Sequence, residues 1–299
     1  MLMKHKSVLL KETITTLQPR NGGIYIDMTL GAAGHTEKLL KLSSPSGIVI
    51  AFDKDQDAIK HAQEKLKETY GDRLILINDD YANIKEHLRR LEIDEVDGVI
   101  MDLGVSLDQL KSDRGFSFNI DAPLDMRMDK NKPLTAEKIV NHWDMEELER
   151  IIRLYGEENF ARRIAKAIVK NRPIHTTKEL AELIELTVPR SVSRRIHPAT
   201  RTFQALRIVV NDELESLQKG LKGAIEALKE NGIICAISFH SLEDRIVKNI
   251  LRDYKQKGVL RLLNKKPIRP TPQEVKSNKH SRSAKLRCAL KLTREDSNV

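Results

Sequence analysis

Four short apolar runs, each followed by an aspartate, divide the first third of the chain. The runs end at Asp27, at Asp53, at Asp79 or Asp80, and at Asp102, and segments with the apolar spacing of helices separate them. Near-continuous apolar strands that alternate with helices predict a parallel sheet covered on both faces. Ligands of open α/β sheets bind outside the carboxyl ends of the strands, so the aspartates predict an acidic binding site there.

The turn after the first strand has the composition of a cofactor-binding loop. Gly31 and Gly34 follow Asp27, and a helical pattern begins near Glu37. Glycines remove Cβ atoms where a ligand approaches the backbone or where φ is positive. The spacing is G-x-x-G and lacks the middle glycine of the dinucleotide fingerprint. Taken alone, an ordinary strand-to-helix turn is an equal interpretation.

The acidic edge selects the kind of cofactor. Four carboxylates would repel a pyrophosphate, whereas they would attract a ligand with hydroxyls, amines and a positive centre. S-adenosylmethionine has a ribose diol, an adenine amine, an ammonium and a sulfonium, and no phosphate. Asp53, about twenty residues beyond Gly31, is placed for the ribose hydroxyls, and Tyr81 is expected against the adenine face. For any one acid, helix capping is the alternative.

The alternation of strands and helices stops after Asp102 and resumes only near residue 208. Residues 110–127 are predicted to be irregular, and four helices are expected at 135–141, 145–155, 157–171 and 177–187, with Thr135 and Thr177 as N-caps. A long helix over 208–229, a fifth strand over 232–239, a helix, and two late strands at 259–263 and 285–292 follow. We therefore predict a sheet domain in two parts, 1–113 and 208–299, with an inserted helical domain over 114–207.

The net charge of the chain indicates the kind of binding partner. The net charge of +9 and the pI of about 9.4 fit a polyanionic partner. The strongest basic segment, over 190–207, contains Arg190, Arg194, Arg195, His197, Arg201 and Arg207. A solvated face is the alternative interpretation of such a segment.

The remaining composition argues for an intracellular protein without a metal. No apolar run approaches the roughly 20 residues that cross a bilayer, and the N-terminus does not resemble a signal peptide. Cys235 and Cys288 are far apart in the sequence, so we expect buried free thiols in the cytoplasm. The nine histidines show no clustered ligand spacing, and no metal is expected.

Seven motifs in one order make a family resemblance specific. They are GAAGH at 31–35, DLGVS at 102–106, RGFSF at 114–118, PLDMRM at 123–128, YGEE at 155–158, HPATRTFQA at 197–205 and SFHSLEDR at 238–245. Together they resemble the bacterial RsmH (MraW) family of S-adenosylmethionine-dependent 16S rRNA (cytosine-N4)-methyltransferases. The resemblance implies a Rossmann-like class I methyltransferase domain with an inserted all-helical domain. It also implies a substrate, a cytidine in the decoding region of 16S rRNA within the small ribosomal subunit.

The resemblance assigns cofactor contacts by motif. The implied residues are Ala33, Gly34, His35, Asp53, Tyr81, Asp102 and Gln109. Many members have glycine where this chain has Ala33, and a contact through the backbone N–H tolerates the extra methyl. His35 is expected to offer its backbone N–H rather than its imidazole.

The chemistry requires a group that orients the amine. The N4 lone pair of cytosine is delocalised into the ring, so a hydrogen-bond acceptor on the amino protons would turn it toward the methyl. Asp102 is our catalytic candidate and Ser106 a lesser one, although Asp102 could equally act on the cofactor. The segment lacks the prolines and the stacking aromatic of the Asp/Asn-Pro-Pro-aromatic motif found in other amine methyltransferases.

Four further residues are expected to meet the substrate. Ser238 and His240 end the fifth strand, where His240 would contact the flipped base or cap the next helix. His197 and Arg201 are expected to contact phosphate. Phe116 and Phe118 offer either a stacking surface beside Arg114 or packing under the inserted domain.

Two other functions remain open at this point. A nicotinamide-dependent oxidoreductase is disfavoured by the missing glycine and by the late pair of strands. A non-catalytic RNA-binding assembly factor would have no need of acid-ended strands.

Overall fold

A computed structural model describes residues 7–189 and 196–293. The first part of the chain forms α1 (Leu10–Leu17), β1 (Ile24–Asp27), α2 (Gly34–Leu42), β2 (Ile48–Phe52), α3 (Gln56–Tyr70), β3 (Leu74–Ile77), α4 (Ile84–Arg90) and β4 (Val96–Asp102). The middle part forms α5 (Leu107–Lys111), α6 (Ala136–His142), α7 (Met145–Gly156), α8 (Ala161–Lys170), α9 (Thr177–Thr187) and α10 (Thr200–Asn211). The last part forms α11 (Glu213–Ala227), β5 (Leu228–Ser238), α12 (Ser241–Gln256), β6 (Leu260–Leu262), α13 (Pro272–Ser277) and β7 (Lys285–Lys291).

The described residues fall into two compact units. The first comprises those within Met1–Gly104 and Leu214–Val299, and the second those within Val105–Glu213. All seven strands lie in the first unit, and the second is built from helices and loops. The domain limits drawn from the sequence, at 113/114 and 207/208, stay a prediction.

The first unit is a single seven-stranded sheet in the order β3-β2-β1-β4-β5-β7-β6. Strands β1 to β5 are parallel to one another, whereas β7 runs antiparallel to both β5 and β6. The two late strands expected from the sequence are thus β6 and β7, an antiparallel pair at one end of the sheet.

Alternate residues of the parallel strands β1 to β5 belong to different hydrophobic clusters. Ile26 of β1 packs with side chains of α4, α11 and α12, whereas its neighbour Tyr25 packs with side chains of α1, α2 and α3. Both faces of the sheet are therefore covered, as the continuous apolar runs predict.

Several local predictions are corrected. The single helix expected over 208–229 is broken at Asp212, which has φ +52 and separates α10 from α11. Glu157 also has a left-handed backbone, so the helix expected from 157 begins at Ala161 instead. The N-cap of α9 is Thr176, which forms a capping box with Glu179 one residue before the predicted Thr177.

The two cysteines are free and buried, as expected, but they are neighbours in space. Cys235 of β5 and Cys288 of β7 are directly paired across the two strands, with their Sγ atoms 3.3 Å apart. Sequence separation alone gave no sign of this proximity.

The PLDMRM motif is a rigid part of the second unit. The buried Asn211 side chain accepts a hydrogen bond from the Met128 N–H and donates one to the Met126 carbonyl. One amide side chain thus satisfies two backbone groups of the motif. Arg127 donates to both carboxylate oxygens of Asp125, at 2.7 and 2.9 Å. This motif thus fixes a loop against the helical core.

Candidate cofactor site at the carboxyl edge of the sheet

Asp27 is a buried anchor for the first turn. Its carboxylate accepts the Thr36 hydroxyl at 2.7 Å and the Thr29 N–H at 3.1 Å. Burial raises the pKa of Asp27, and the hydrogen bonds from Thr36 and Thr29 offset this only in part. Because the side chain is fully enclosed, it shapes the edge of the sheet and adds to its negative charge.

Thr29 joins the ends of β1 and β4, a role that sequence reasoning missed. Its hydroxyl oxygen accepts the Asp102 N–H at 2.6 Å, and its backbone N–H donates to Asp27 Oδ1 at 3.1 Å. One residue thus contacts the acids that end the two neighbouring strands β1 and β4. A threonine two residues after a strand-ending acid is the only sequence signal, because β4 lies far along the chain.

The turn itself uses its small residues in an unexpected way. Gly31 has φ +47, and the other left-handed residue is Ala33, at φ +63, rather than Gly34. A Cβ on Gly34 would instead clash with the Ser7 side chain. The Ala33 N–H donates to the Leu30 carbonyl at 2.7 Å, so it closes the turn and is not directed at a ligand. A cofactor contact by Ala33 through this N–H therefore has no support in the geometry.

Asp53 is held in a fixed orientation by two backbone groups. The Gly31 N–H donates to Oδ2 and the Asp55 N–H to Oδ1, both at 2.9 Å. Burial is the main cause that raises the pKa of Asp53 to about 6, with the charges of Asp55 and Asp27 adding to it. Each oxygen keeps a second lone pair, which fits two hydroxyls of a vicinal diol.

The acids after β3 are hydrogen-bonded to nearby side chains. Asp79 accepts from His87 at 2.7 Å and from Asn83. These hydrogen bonds outweigh the effect of burial and lower the pKa of Asp79. Asp80 pairs with Lys54 at 2.8 Å and accepts the Ser216 hydroxyl at 2.6 Å. Both acids after β3 thus already have side-chain partners on neighbouring elements.

Tyr81 packs against α11. A Cβ on Gly220 would clash with the ring, and the Lys54 ammonium lies 5.9 Å from the ring centroid. The ring thus has a fixed position after β3, and its contact with adenine stays a prediction.

Asp102 has an acceptor that the protein does not use. Its Oδ1 atom is buried and accepts no hydrogen bond from any described residue, although the side chain as a whole is 21% exposed. Burial, together with the charges of Asp27 and Glu243, raises the pKa of Asp102 well above its usual range. The other oxygen, Oδ2, lies 3.6 Å from Nδ1 of the buried His35 imidazole. The imidazole of His35, and not only its N–H, therefore belongs to this site.

Gln109 and Ser106 lie in the second unit and form a capping box at the start of α5. The Gln109 N–H donates to Ser106 Oγ at 3.1 Å, and the Ser106 N–H donates to Gln109 Oε1 at 3.0 Å. Their side chains thus shape a helix start, and their proposed roles in binding and catalysis stay predictions.

Ser238 and His240 also have structural partners. The buried Ser238 hydroxyl donates to the Lys285 carbonyl at 3.4 Å. His240 is the N-cap of α12, with Nδ1 accepting the Glu243 N–H and Nε2 lying 3.2 Å from Glu243 Oε1. The capping alternative for His240 is thus observed, and a role in substrate binding stays a prediction.

His197 and Arg201 lie in the second unit, and His197 contacts an aromatic residue of the RGFSF motif. Phe118 stacks on His197 with centroids 4.5 Å apart, and Phe116 is buried in the helical core. Arg201 lies 3.8 Å from the buried Glu158. The packing interpretation of Phe116 is therefore confirmed. Arg190, Arg194 and Arg195 of the basic segment lie outside the described residues.

The sheet order, the reversed β7, and an edge lined by carboxyls define a Rossmann-like methyltransferase that uses S-adenosylmethionine. The model of the MraW methylase family matches residues 2–292. Two similar curated proteins carry the name ribosomal RNA small subunit methyltransferase H. The one from Brevibacillus brevis is 46% identical, covering 96% of this chain and 98% of its own length. The one from Carboxydothermus hydrogenoformans is 47% identical, covering 98% and 99%. The chain belongs to the MraW methylase family.

These findings support neither the nicotinamide oxidoreductase nor the non-catalytic factor. Within the described residues, no helix has the length and apolar character needed to span a membrane.

Proposed function

We propose that this methyltransferase modifies the exocyclic N4 of a cytidine in 16S rRNA, with the small ribosomal subunit as its partner. Relatives of nearly equal length carry the name ribosomal RNA small subunit methyltransferase H. The observation that carries the proposal is the buried, unused Oδ1 acceptor of Asp102 at the end of a central strand. An exocyclic amine supplies the hydrogen-bond donor that this acceptor lacks. The activity needs no metal and belongs in the cytoplasm, with the ribosome.

The residues at the edge of the sheet fit the cofactor. Asp53 would hold the ribose hydroxyls, because its two backbone hydrogen bonds fix both oxygens and leave a lone pair on each. Gly34, His35 and Tyr81 would complete the contacts around it. When bound, S-adenosylmethionine supplies an electrophilic methyl group on a positively charged sulfur. The raised pKa values of Asp53 and Asp102 favour such a ligand, because a nearby positive charge stabilises both carboxylates.

Asp102 would orient the amine. With Oδ1 accepting one amino proton, the nitrogen lone pair turns out of conjugation and toward the methyl. Positioning of this kind contributes up to about 7–11 kcal/mol to lowering a barrier. Thr29 holds the Asp102 backbone, and the His35 imidazole limits the movement of Oδ2. The target base leaves its stack to reach this carboxylate.

Tritiated methyl transfer to small ribosomal subunits that lack the modification tests the proposal. We expect label in N4-methylcytidine after digestion to nucleosides. Label on another atom or nucleoside, or no label on subunits or free 16S rRNA, would refute it. The Asp102→Asn variant is the matched control, because it keeps the shape of the side chain and replaces the carboxylate acceptor with an amide.

A further inference from the structure

The exposed face of α8 is a dense cluster of positive charge. Four of its residues are exposed cations: Arg162, Arg163, Lys166 and Lys170. Four others are buried in the core of the second unit: Ala161, Ile164, Ala165 and Ile168. At about 100° per residue, the cations cover an arc of roughly 100° directly opposite the buried stripe. They extend about 12 Å along the helix.

None of these four cations has an acidic partner among residues 7–189 and 196–293. The helix itself contains no acidic residue. Neighbouring α7 shows the contrast, because Arg153 pairs with Glu149 at 2.7 Å one turn away. Arg162 and Arg163 also lie in the first turn, where the positive end of the helix dipole disfavours cations. The stability of the helix therefore does not explain this charge.

In the described part of the basic segment, residues 196–207, the charged side chains already have partners. Arg207 is only 15% exposed and donates to both carboxylate oxygens of Glu213, at 2.7 and 2.8 Å. Arg201 lies beside Glu158, and His197 stacks on Phe118. Among the described residues, α8 thus presents more available positive charge than 196–207 does.

We propose that the cationic face of α8, defined by Arg162, Arg163, Lys166 and Lys170, binds backbone phosphates of the substrate RNA. This inference rests on the proposed function, which supplies an RNA substrate. Interfaces with nucleic acid are more polar and more positive than those with proteins. A protein partner would instead require an apolar centre depleted of charge, and Val169 is the one large apolar side chain exposed on this helix.

A pair of variants with equal net charge tests the assignment. The test variant neutralises the face with R162Q, R163Q, K166Q and K170Q. The control removes four cations that pair with acids elsewhere, with R150Q, R153Q, K219Q and K257Q. Binding to transcribed 16S rRNA is measured from about 50 to 200 mM salt. Each lost phosphate contact lowers the slope of log affinity against log salt by about 0.7–0.9.

For the test variant we expect the slope to fall by about 2–3 and affinity at 0.1 M salt to fall at least about tenfold. The KM for small subunits should rise, while kcat at saturating subunits and cofactor affinity stay unchanged. The thermal midpoint should be unchanged or higher, which shows that the variant is folded. The control should keep the wild-type slope.

Three results would overturn the assignment. The test variant could keep the wild-type slope, or the control could lose as much slope as the test variant. The test variant could also lose binding to polyglutamate and keep binding to RNA, which would indicate an acidic protein partner. If the wild type itself neither binds nor methylates the rRNA, the proposed function fails. If the wild type does both and the test variant behaves like the control, only this assignment fails.

Discussion

Replacing Thr29 by valine tests how the edge of the sheet holds Asp102. Valine keeps the shape of threonine but lacks the hydroxyl that accepts the Asp102 N–H at 2.6 Å. A backbone N–H left without its partner costs about 1–3 kcal/mol. Asp27 keeps its hydrogen bonds from the Thr36 hydroxyl at 2.7 Å and from the residue-29 backbone N–H at 3.1 Å, so the loss is confined to the Asp102 N–H. We expect the free energy of unfolding to fall by about 2 kcal/mol.

Urea unfolding and methyl transfer measure the two consequences. Turnover should fall with cofactor saturating, because a displacement of about 1 Å in an orienting group can cost about 100-fold in rate. The Thr29→Ser variant retains the hydroxyl and should lose less than about 1 kcal/mol. A valine variant as stable and as active as the wild type would refute the reasoning. So would a serine variant as damaged as the valine one, because the hydroxyl would then not be the link.

Three further predictions concern cofactor binding and turnover. Because the pKa of Asp53 is raised to about 6, cofactor affinity measured by calorimetry should fall about tenfold from pH 7 to pH 5 as the carboxyl is protonated. Asp53→Asn should bind weakly with no such transition, and a flat wild-type profile would contradict the assignment. The raised pKa also links Asp53 to the stability of the fold. Its contribution to the free energy of unfolding is greatest below the pKa of the unfolded state and is lost as the pH rises through about 6. Asp102→Ala should lower turnover with cofactor saturating, and near-normal turnover would remove Asp102 from the chemistry. Gly220→Ala should displace the Tyr81 ring and weaken cofactor binding, although alanine favours the helix by about 1 kcal/mol; unchanged affinity would separate Tyr81 from the cofactor.

Local sequence patterns predicted the positions of the strands and of several helices. The acid-ended apolar runs coincide with the ends of β1, β2 and β4, and the helix expected over 177–187 is α9. These features depend on neighbours within a few residues, which a single sequence displays. The break at Asp212 was missed because the apolar spacing continues across it, while its left-handed backbone depends on packing. The pairing of Cys235 with Cys288 was missed for a related reason, since strand neighbours need not be near in sequence.

The sequence by itself determined the class of fold, the family and the acidic edge of the sheet, because alternation and motif order are written along the chain. Only the tertiary structure decided which charges remain available for a ligand. Asp80 meets Lys54 and Ser216, whereas the Oδ1 atom of Asp102 meets no donor among the described residues. The link between Thr29 and Asp102 joins residues 73 positions apart. A charged side chain acts according to the partners that folding brings within about 4 Å, and those partners come from distant parts of the chain.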